Sequence, residues 1–261
     1  MKRLIVTADD LGWSPPVSAG IRAAWERGVI TSVSVLMTGD DVEEAAEWIQ
    51  TQADISVGLH LAYVQGRPCS APTDVPSLVD SEGRFPASVL RLLTQNPDPA
   101  DLARESEAQM QRFLSLVKRP PAFVNTHQHA QLLPRVLDVM VALCARHQIE
   151  RIRLPAEQKP LRPNGNRRSW LWPAATAVAL AARGKLARAG LRHPDRMVGG
   201  PDSGRLTRDR LLTLIADLPE GTTELVVHPA EGSTDLGALM DPIVGDYLLK
   251  YGVERIPFHA L

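Results

Sequence analysis

The sequence predicts an α/β fold, a distorted (β/α) barrel of seven or eight parallel strands, from three observations. Short β-branched runs alternate with longer stretches of helical period, the pattern of βαβ units. No repeat of solenoid period and no low-complexity run divides the chain. The polar residues that could carry chemistry all fall at the C-terminal ends of strand candidates, where βα barrels build their sites. The strand candidates are LIVTA (4–8), TSVSVLM (31–37), ISVGLHL (55–61), AFVNTH (122–127), RIRLP (151–155), RMVG (196–199), ELVVH (224–228) and ERIPF (254–258). Helices are expected over 17–28, 41–51, 101–118, 134–147, 172–189, 207–218 and 238–251. Asp40 or Asp41 can cap the second helix, Pro134 suits a first helical turn, and Thr207 can cap the helix containing LLTLIADL. Residues 62–100 and 156–170 are rich in Pro, Gly and polar groups and longer than a usual βα connection, so they are expected to cover the mouth of the barrel.

The bulk composition narrows the function. The chain has 261 residues, 44% hydrophobic and 23% charged, enough for one large core, so a single domain over 1–261 is expected. A formal net charge of -1 leaves no electrostatic footprint for nucleic acid or an anionic membrane surface. Cys69 and Cys144 stand far apart and belong to no CxxC pair, so both are expected to be plain thiols. The N-terminal MKRLIVTADDLG has an apolar stretch of only about five residues before two aspartates, unlike a signal-peptide core. Residues 171–189 are interrupted by Pro, Arg and Lys, short of the ~20 apolar residues that a membrane span needs. A cytoplasmic protein without a transmembrane segment is expected; its oligomeric state stays open, a homodimer included.

Asp9 and Asp10 follow LIVTA, His60 lies in VGLHL, His127 and His129 in VNTHQH, and His228 in LVVHP. Singly, each has an ordinary explanation: acids after a strand form turns and caps, and a histidine in an apolar strand is commonly a satisfied core residue. HxH is sharper, because alternation along a strand would put both imidazoles on one face. Together the ordinary readings become improbable, since each would place a titratable group at the same end of a different strand for an unrelated reason. Imidazoles and a carboxylate suit Zn²⁺ and several other divalent ions, and three protein ligands leave a position for water. A spare carboxylate and a spare histidine remain for proton transfer.

The motifs TADDLG, VGLHL, GRP followed by VPSLVDSEGRF, VNTHQH and LVVHPAE resemble the YdjC-like carbohydrate deacetylases over essentially the whole chain. The run SGRLTRDRLLTLIADLPEGTTELVVHPA looks most like the hopanoid-biosynthesis HpnK branch, with chitooligosaccharide deacetylase ChbG more distant. The resemblance implies a barrel related to NodB-type polysaccharide deacetylases and an N-acetylated sugar or glycolipid as substrate. It implies one divalent metal ion, Zn²⁺ or Mg²⁺ or another, on Asp10, His60 and His127, with Asp9 as general base and His228 as general acid. Many relatives carry a further histidine where this chain has Gln131, so contacts there are expected to differ. Arg153 could orient Asp9, and a surface ion pair explains it equally well; His129 and Glu231 are further candidates for the substrate or the metal's surroundings. Other readings are a metal-dependent phosphoesterase, an aldolase-type barrel and a non-catalytic sugar- or lipid-binding barrel. No Gly-rich phosphate loop opens a helix and no lysine ends a predicted strand, while both Asp9 and His228 are retained.

Overall fold

A computed structural model of the chain describes residues 1–157 and 172–261. Strands and helices alternate: β1 (Lys2–Leu11), α1 (Pro15–Glu26), β2 (Ser32–Leu36), α2 (Val42–Gln50), β3 (Ser56–Leu61), α3 (Val89–Gln95), α4 (Pro99–Val117), β4 (Phe123–Thr126), α5 (Pro134–Arg146), α6 (Trp172–Arg188), β5 (Arg196–Val198), α7 (Arg208–Ala216), β6 (Gly221–Val227), α8 (Thr234–Leu239), α9 (Ile243–Lys250) and β7 (Val253–Arg255).

Every strand pairing is parallel, in the order β4-β3-β2-β1-β6-β5, with β7 on the N-terminal half of β1. The expected strand at 151–155 appears only as isolated bridges, Val124 to Ile152 and Arg151 to Arg192. Pro155 cannot donate to a ladder, and Ala156 N–H turns back to the Leu154 carbonyl, 2.8 Å away. This irregular run nevertheless closes the ring. Arg153 N–H donates to the Val124 carbonyl on one side, while Ile152 N–H meets the Arg192 carbonyl and Met197 N–H the Ala156 carbonyl on the other. The expected barrel is therefore present, distorted at this wall.

The central strands are buried on both faces, as parallel strands under helices are: all of β2, β3 and β4 is buried. Val33, Val35, Leu59 and Leu61 pack with Ile21 and Ala24 of α1, Ala45 and Ile49 of α2, Phe113 of α4 and Met140 of α5 in one core. Among the described residues, no helix is long and apolar enough to cross a membrane.

Several boundaries differ from expectation for local reasons. The expected helix over 238–251 is two, α8 and α9, parted around Pro242, whose ring cannot continue a helical ladder. The expected strand over 254–258 is β7, stopped before Pro257. Asp41 sits at the N-cap of α2 but makes no side-chain cap, whereas Thr207 accepts from Arg210 N–H as expected. Segment 62–100 is a packed wall containing α3, with Tyr63, Val64, Val75, Leu78, Phe85 and Leu92 buried. Glu105 of α4 accepts from the Cys69 and Ser70 N–H groups and Asp101 from Ser77 N–H, which fasten the wall to that helix. The expected cover over 156–170 lies, beyond Glu157, outside the described residues.

Gly58 shows how tightly the floor is packed. A Cβ there would stand 2.5 Å from the ring of Phe123, which is itself stacked on Phe258 with centroids 4.0 Å apart, both rings fully buried. Neither ring has room to yield, so Gly58→Ala is expected to cost about 1–3 kcal/mol. Urea unfolding checks this: the midpoint should fall with the slope unchanged, and a wild-type midpoint would show that the floor repacks freely.

Candidate metal centre

Neighbouring residues in a strand point to opposite faces, yet the carboxylates of Asp9 and Asp10 enter one cluster. The cause is a bulge in β1: its register against β2 shifts between Ala8 and Leu11, and Asp10 adopts a left-handed φ of 67°. Gly12, at φ 90°, then turns the chain toward α1.

Asp10 Oδ1 lies 3.2 Å from His60 Nε2 and 2.8 Å from His127 Nδ1. One ligand atom from each of the three residues falls within 4.8 Å of the others. Asn125 fixes the protonation of His60. Its Nδ2 donates to Asp9 Oδ1 at 3.2 Å, an atom that can only accept, so Asn125 Oδ1 is the atom 2.7 Å from His60 Nδ1. His60 thus carries its proton on Nδ1 and turns the Nε2 lone pair toward Asp10. Gln65 Oε1 stands 2.8 Å from His127 Nε2; with the proton on that nitrogen, the His127 Nδ1 lone pair faces Asp10. Acceptors facing one another in a buried site repel unless a cation binds them all, so one carboxylate and two neutral imidazoles with their outer nitrogens engaged fit a divalent ion. A proton answers the same demand in part: burial disfavours a charged His60, but Asp9 and Asp10 outweigh it and raise its pKa. Burial likewise opposes ionisation of Asp10, and His127 and His60, when protonated, hold it well below the usual carboxylate range.

Asp9 is a different site one residue away. It is 2% exposed, and the fully buried Arg153 takes both of its oxygens, Nη2 lying 2.9 Å from Oδ1 and Nη1 on Oδ2. The Ser34 hydroxyl donates to Oδ1 at 2.7 Å and lies 3.1 Å from His60 Nδ1, so Ser34 and Asn125 tie the two carboxylate sites together. Burial would raise the Asp9 pKa, but Arg153 first, then His60 and His228, force it far below the usual range. The ion pair expected either as a surface contact or as a clamp is the buried clamp.

The remaining candidates surround this pair. His228 follows β6; its Nδ1 is 2.9 Å from Ser203 Oγ, and its backbone N–H is held by buried Asp235 at 2.9 Å. The same Asp235 accepts from Leu206 N–H, joining the Ser203 loop to the His228 turn. His127 and His129 do not alternate along a strand as expected. β4 ends at Thr126, and left-handed Gln128 and His129 (φ 51° and 55°) splay the imidazoles apart. His127 stacks on Trp13, centroids 5.3 Å apart, whereas His129 meets Trp172 edge-on at 5.5 Å. Burial, then Arg153, drops the His129 pKa to about 3. Gln131 turns back on Thr126, its N–H donating to Oγ1 at 3.0 Å. Glu231 is exposed, and among the described residues nothing joins its carboxylate to His228. Sequence reasoning missed Ser34, Gln65, Asn125, Ser203, Glu224 and Asp235. Asn125 alone had a local signal: it lies two residues before His127 and so, by alternation, on the same strand face.

The α/β barrel thus gathers an acid, two imidazoles and a clamped second carboxylate at its strand ends, and the first three form a donor set that fits a divalent ion. The chain belongs to the YdjC-like protein family, whose profile matches residues 3–250. It is 36% identical over 246 residues to a carbohydrate deacetylase of Mus musculus, covering 87% of this chain and 77% of that one. A carbohydrate deacetylase of Geobacillus stearothermophilus is 30% identical over 269 residues, covering 97% and 96%. Among solved structures, a putative cellobiose-phosphate cleavage protein of Enterococcus faecalis V583 superposes with a TM-score of 0.78 at 24% identity, over 99% of this chain and 98% of that one. A family 4 carbohydrate esterase of Streptomyces lividans, in complex with acetate, shares the fold with a TM-score of 0.51 at 12% identity, over 97% and 91%.

Asn125→Leu keeps the volume but releases His60 Nδ1 and unhooks Asp9. It is expected to weaken Zn²⁺ binding by about 10- to 100-fold without unfolding the chain. Calorimetric titration with Zn²⁺ reads this directly; unchanged affinity would mean that His60 needs no partner to be held.

Proposed function

We propose that the chain removes the acetyl group from an N-acetylated amino sugar, using a divalent ion, Zn²⁺ or Mg²⁺, on Asp10, His60 and His127. The observation that carries this reading is the placing of the His60 and His127 ring nitrogens around Asp10 Oδ1, beside a carboxylate that Arg153 keeps ionised near pH 7. The family and the carbohydrate deacetylases that share a third of its residues support the reaction class. A glycosylated hopanoid and a chito-oligosaccharide are the two substrates that the sequence resemblance favours, in a cytoplasmic setting.

When bound, such an ion polarises the acetyl carbonyl and acidifies water. The chain's own groups do the rest. Asp9 Oδ1 already accepts from Ser34, Asn125 and Arg153, while among the described residues Oδ2 accepts from Arg153 alone, so Oδ2 is the atom free to take a proton from the attacking water. Arg153 keeps Asp9 ionised until then and fixes its plane. An amide nitrogen leaves poorly without a proton, and His228, positioned through Asp235 and Ser203, supplies it. Trp13 beside His127 and Trp172 beside His129 give the mouth two aromatic flanks.

Acetate release from a panel of N-acetylglucosamine conjugates, with and without added Zn²⁺, Mg²⁺, Mn²⁺ or Co²⁺, tests the activity; no release from any conjugate with any ion would sink it. Asp9→Asn should keep the metal yet lose on the order of 10² to 10⁴ in rate. Asp10→Asn should lose metal, and added metal should restore part of its activity. Elemental analysis and rate together decide, because an Asp9→Asn chain without metal beside a loaded Asp10→Asn chain would exchange the two roles.

His228→Ala should lose on the order of 10² to 10⁴ on the amide but far less on an aryl acetate, whose leaving group needs no proton. Equal losses on both substrates would deny His228 the acid role.

A further inference from the structure

Arg153 is the least economical residue in the barrel, a guanidinium 1% exposed on the most weakly built stretch of wall. Its run pairs with its neighbours through isolated bridges rather than a continuous ladder. An arginine side chain has several rotatable bonds, and a carboxylate on its Nη edge leaves the Nε–H edge free to swing. That second edge is occupied. Glu224 Oε1 accepts from Arg153 Nε at 2.9 Å and from Nη2 at 2.7 Å.

Glu224 lies on β6, directly paired with Ile5 in a ladder that runs without interruption from Lys2 to Ala8 of β1. It is 0% exposed, and among the described residues its Oε2 has no hydrogen-bond partner. A buried carboxylate with an orphaned oxygen is a poor way to stabilise a barrel, since an apolar side chain of similar volume commonly does as well or better. Among the described residues, its side-chain hydrogen bonds go to one neighbour, Arg153. The acid thus stands on the most regular part of the sheet and grips the arginine that the least regular part supplies. We infer that Glu224 is a positioning residue for the reaction proposed above: by holding the Nε edge of Arg153 from β6, it fixes the guanidinium plane against which Asp9 is set.

This inference rests on the deacetylase reading, and one of its readouts does not. In a ¹H–¹⁵N spectrum of the full chain, the Arg153 Nε–H should give a slowly exchanging signal in the wild type. Glu224→Leu should lose that protection, whereas Glu224→Gln, which keeps an acceptor oxygen in place, should retain it, and Asp9→Asn should retain it as well. In acetate release, Glu224→Leu should lower kcat about 10- to 100-fold per metal-loaded molecule, with KM and zinc content near wild type, because a misplaced clamp misaligns Asp9 without touching the metal or the mouth. Glu224→Gln should recover kcat to within a few-fold. The inference is overturned if Glu224→Leu keeps the protected signal and the wild-type kcat. It is equally overturned if kcat falls only in proportion to folded or metal-loaded protein, or if Gln restores neither signal nor rate. If Glu224→Leu does not fold, the Gln variant and the wild-type signal still decide. A wild type that releases no acetate yet shows the Glu224-dependent signal would fail the function and leave the clamp standing.

Discussion

Two carboxylates on consecutive residues are turned into one buried mouth, and most of the site is arranged to make that tolerable. Charges that close cost several kcal/mol in a medium less polar than water, so each needs its own counter-charge. Asp9 has the Arg153 guanidinium, and Asp10 has the His60 and His127 imidazoles, with which it forms a donor set that fits a cation. The bulge in β1 creates the problem and the division of labour together, because it breaks the strand's alternation at this pair. A regular β1 would send one of the two acids into the helical layer.

The two halves are separate in charge but joined by neutral groups. Ser34 of β2 and Asn125 of β4 both touch Asp9, and both touch His60. An amide that donates to the base and accepts from the ligand leaves neither free to change its protonation pattern alone. The proposed base and one of the proposed metal ligands are therefore oriented by the same two side chains, one on β2 beside β1 and one on β4, two strands further along the sheet.

Much of this was legible in the sequence, for a physical reason. Strand ends in a parallel barrel converge on one face, so Asp9, Asp10, His60, His127, His129 and His228 could be gathered from the order of runs alone, while the choice of Asp10, His60 and His127 as ligands is what the family resemblance implies. The barrel followed from the alternation of β-branched and helical segments. What stayed hidden depends on contacts across the ring. Arg153 lies in a run that barely forms a strand, and nothing local says that it is buried or that Glu224 holds its far edge. The HxH pair was misread because a period of two assumes a continuing strand, while left-handed Gln128 and His129 end it at Thr126. Pro242 carried a readable signal for the break between α8 and α9, which the helical period on either side masked. Residues 62–100 have the composition of a loop but are fastened to α4 by buried acids that become anchors only once the helix is in place.

The central claim is that Asp10, His60 and His127 form a cradle whose lone pairs await a divalent ion. Anomalous diffraction at the zinc edge from crystals grown with Zn²⁺ tests it most directly. The account predicts one strong peak about 2.0–2.2 Å from Asp10 Oδ1, His60 Nε2 and a His127 ring nitrogen, with Asn125 Oδ1 still on His60 Nδ1. A peak that excludes any of these three residues, or a loaded crystal with no peak at the barrel mouth, would contradict it.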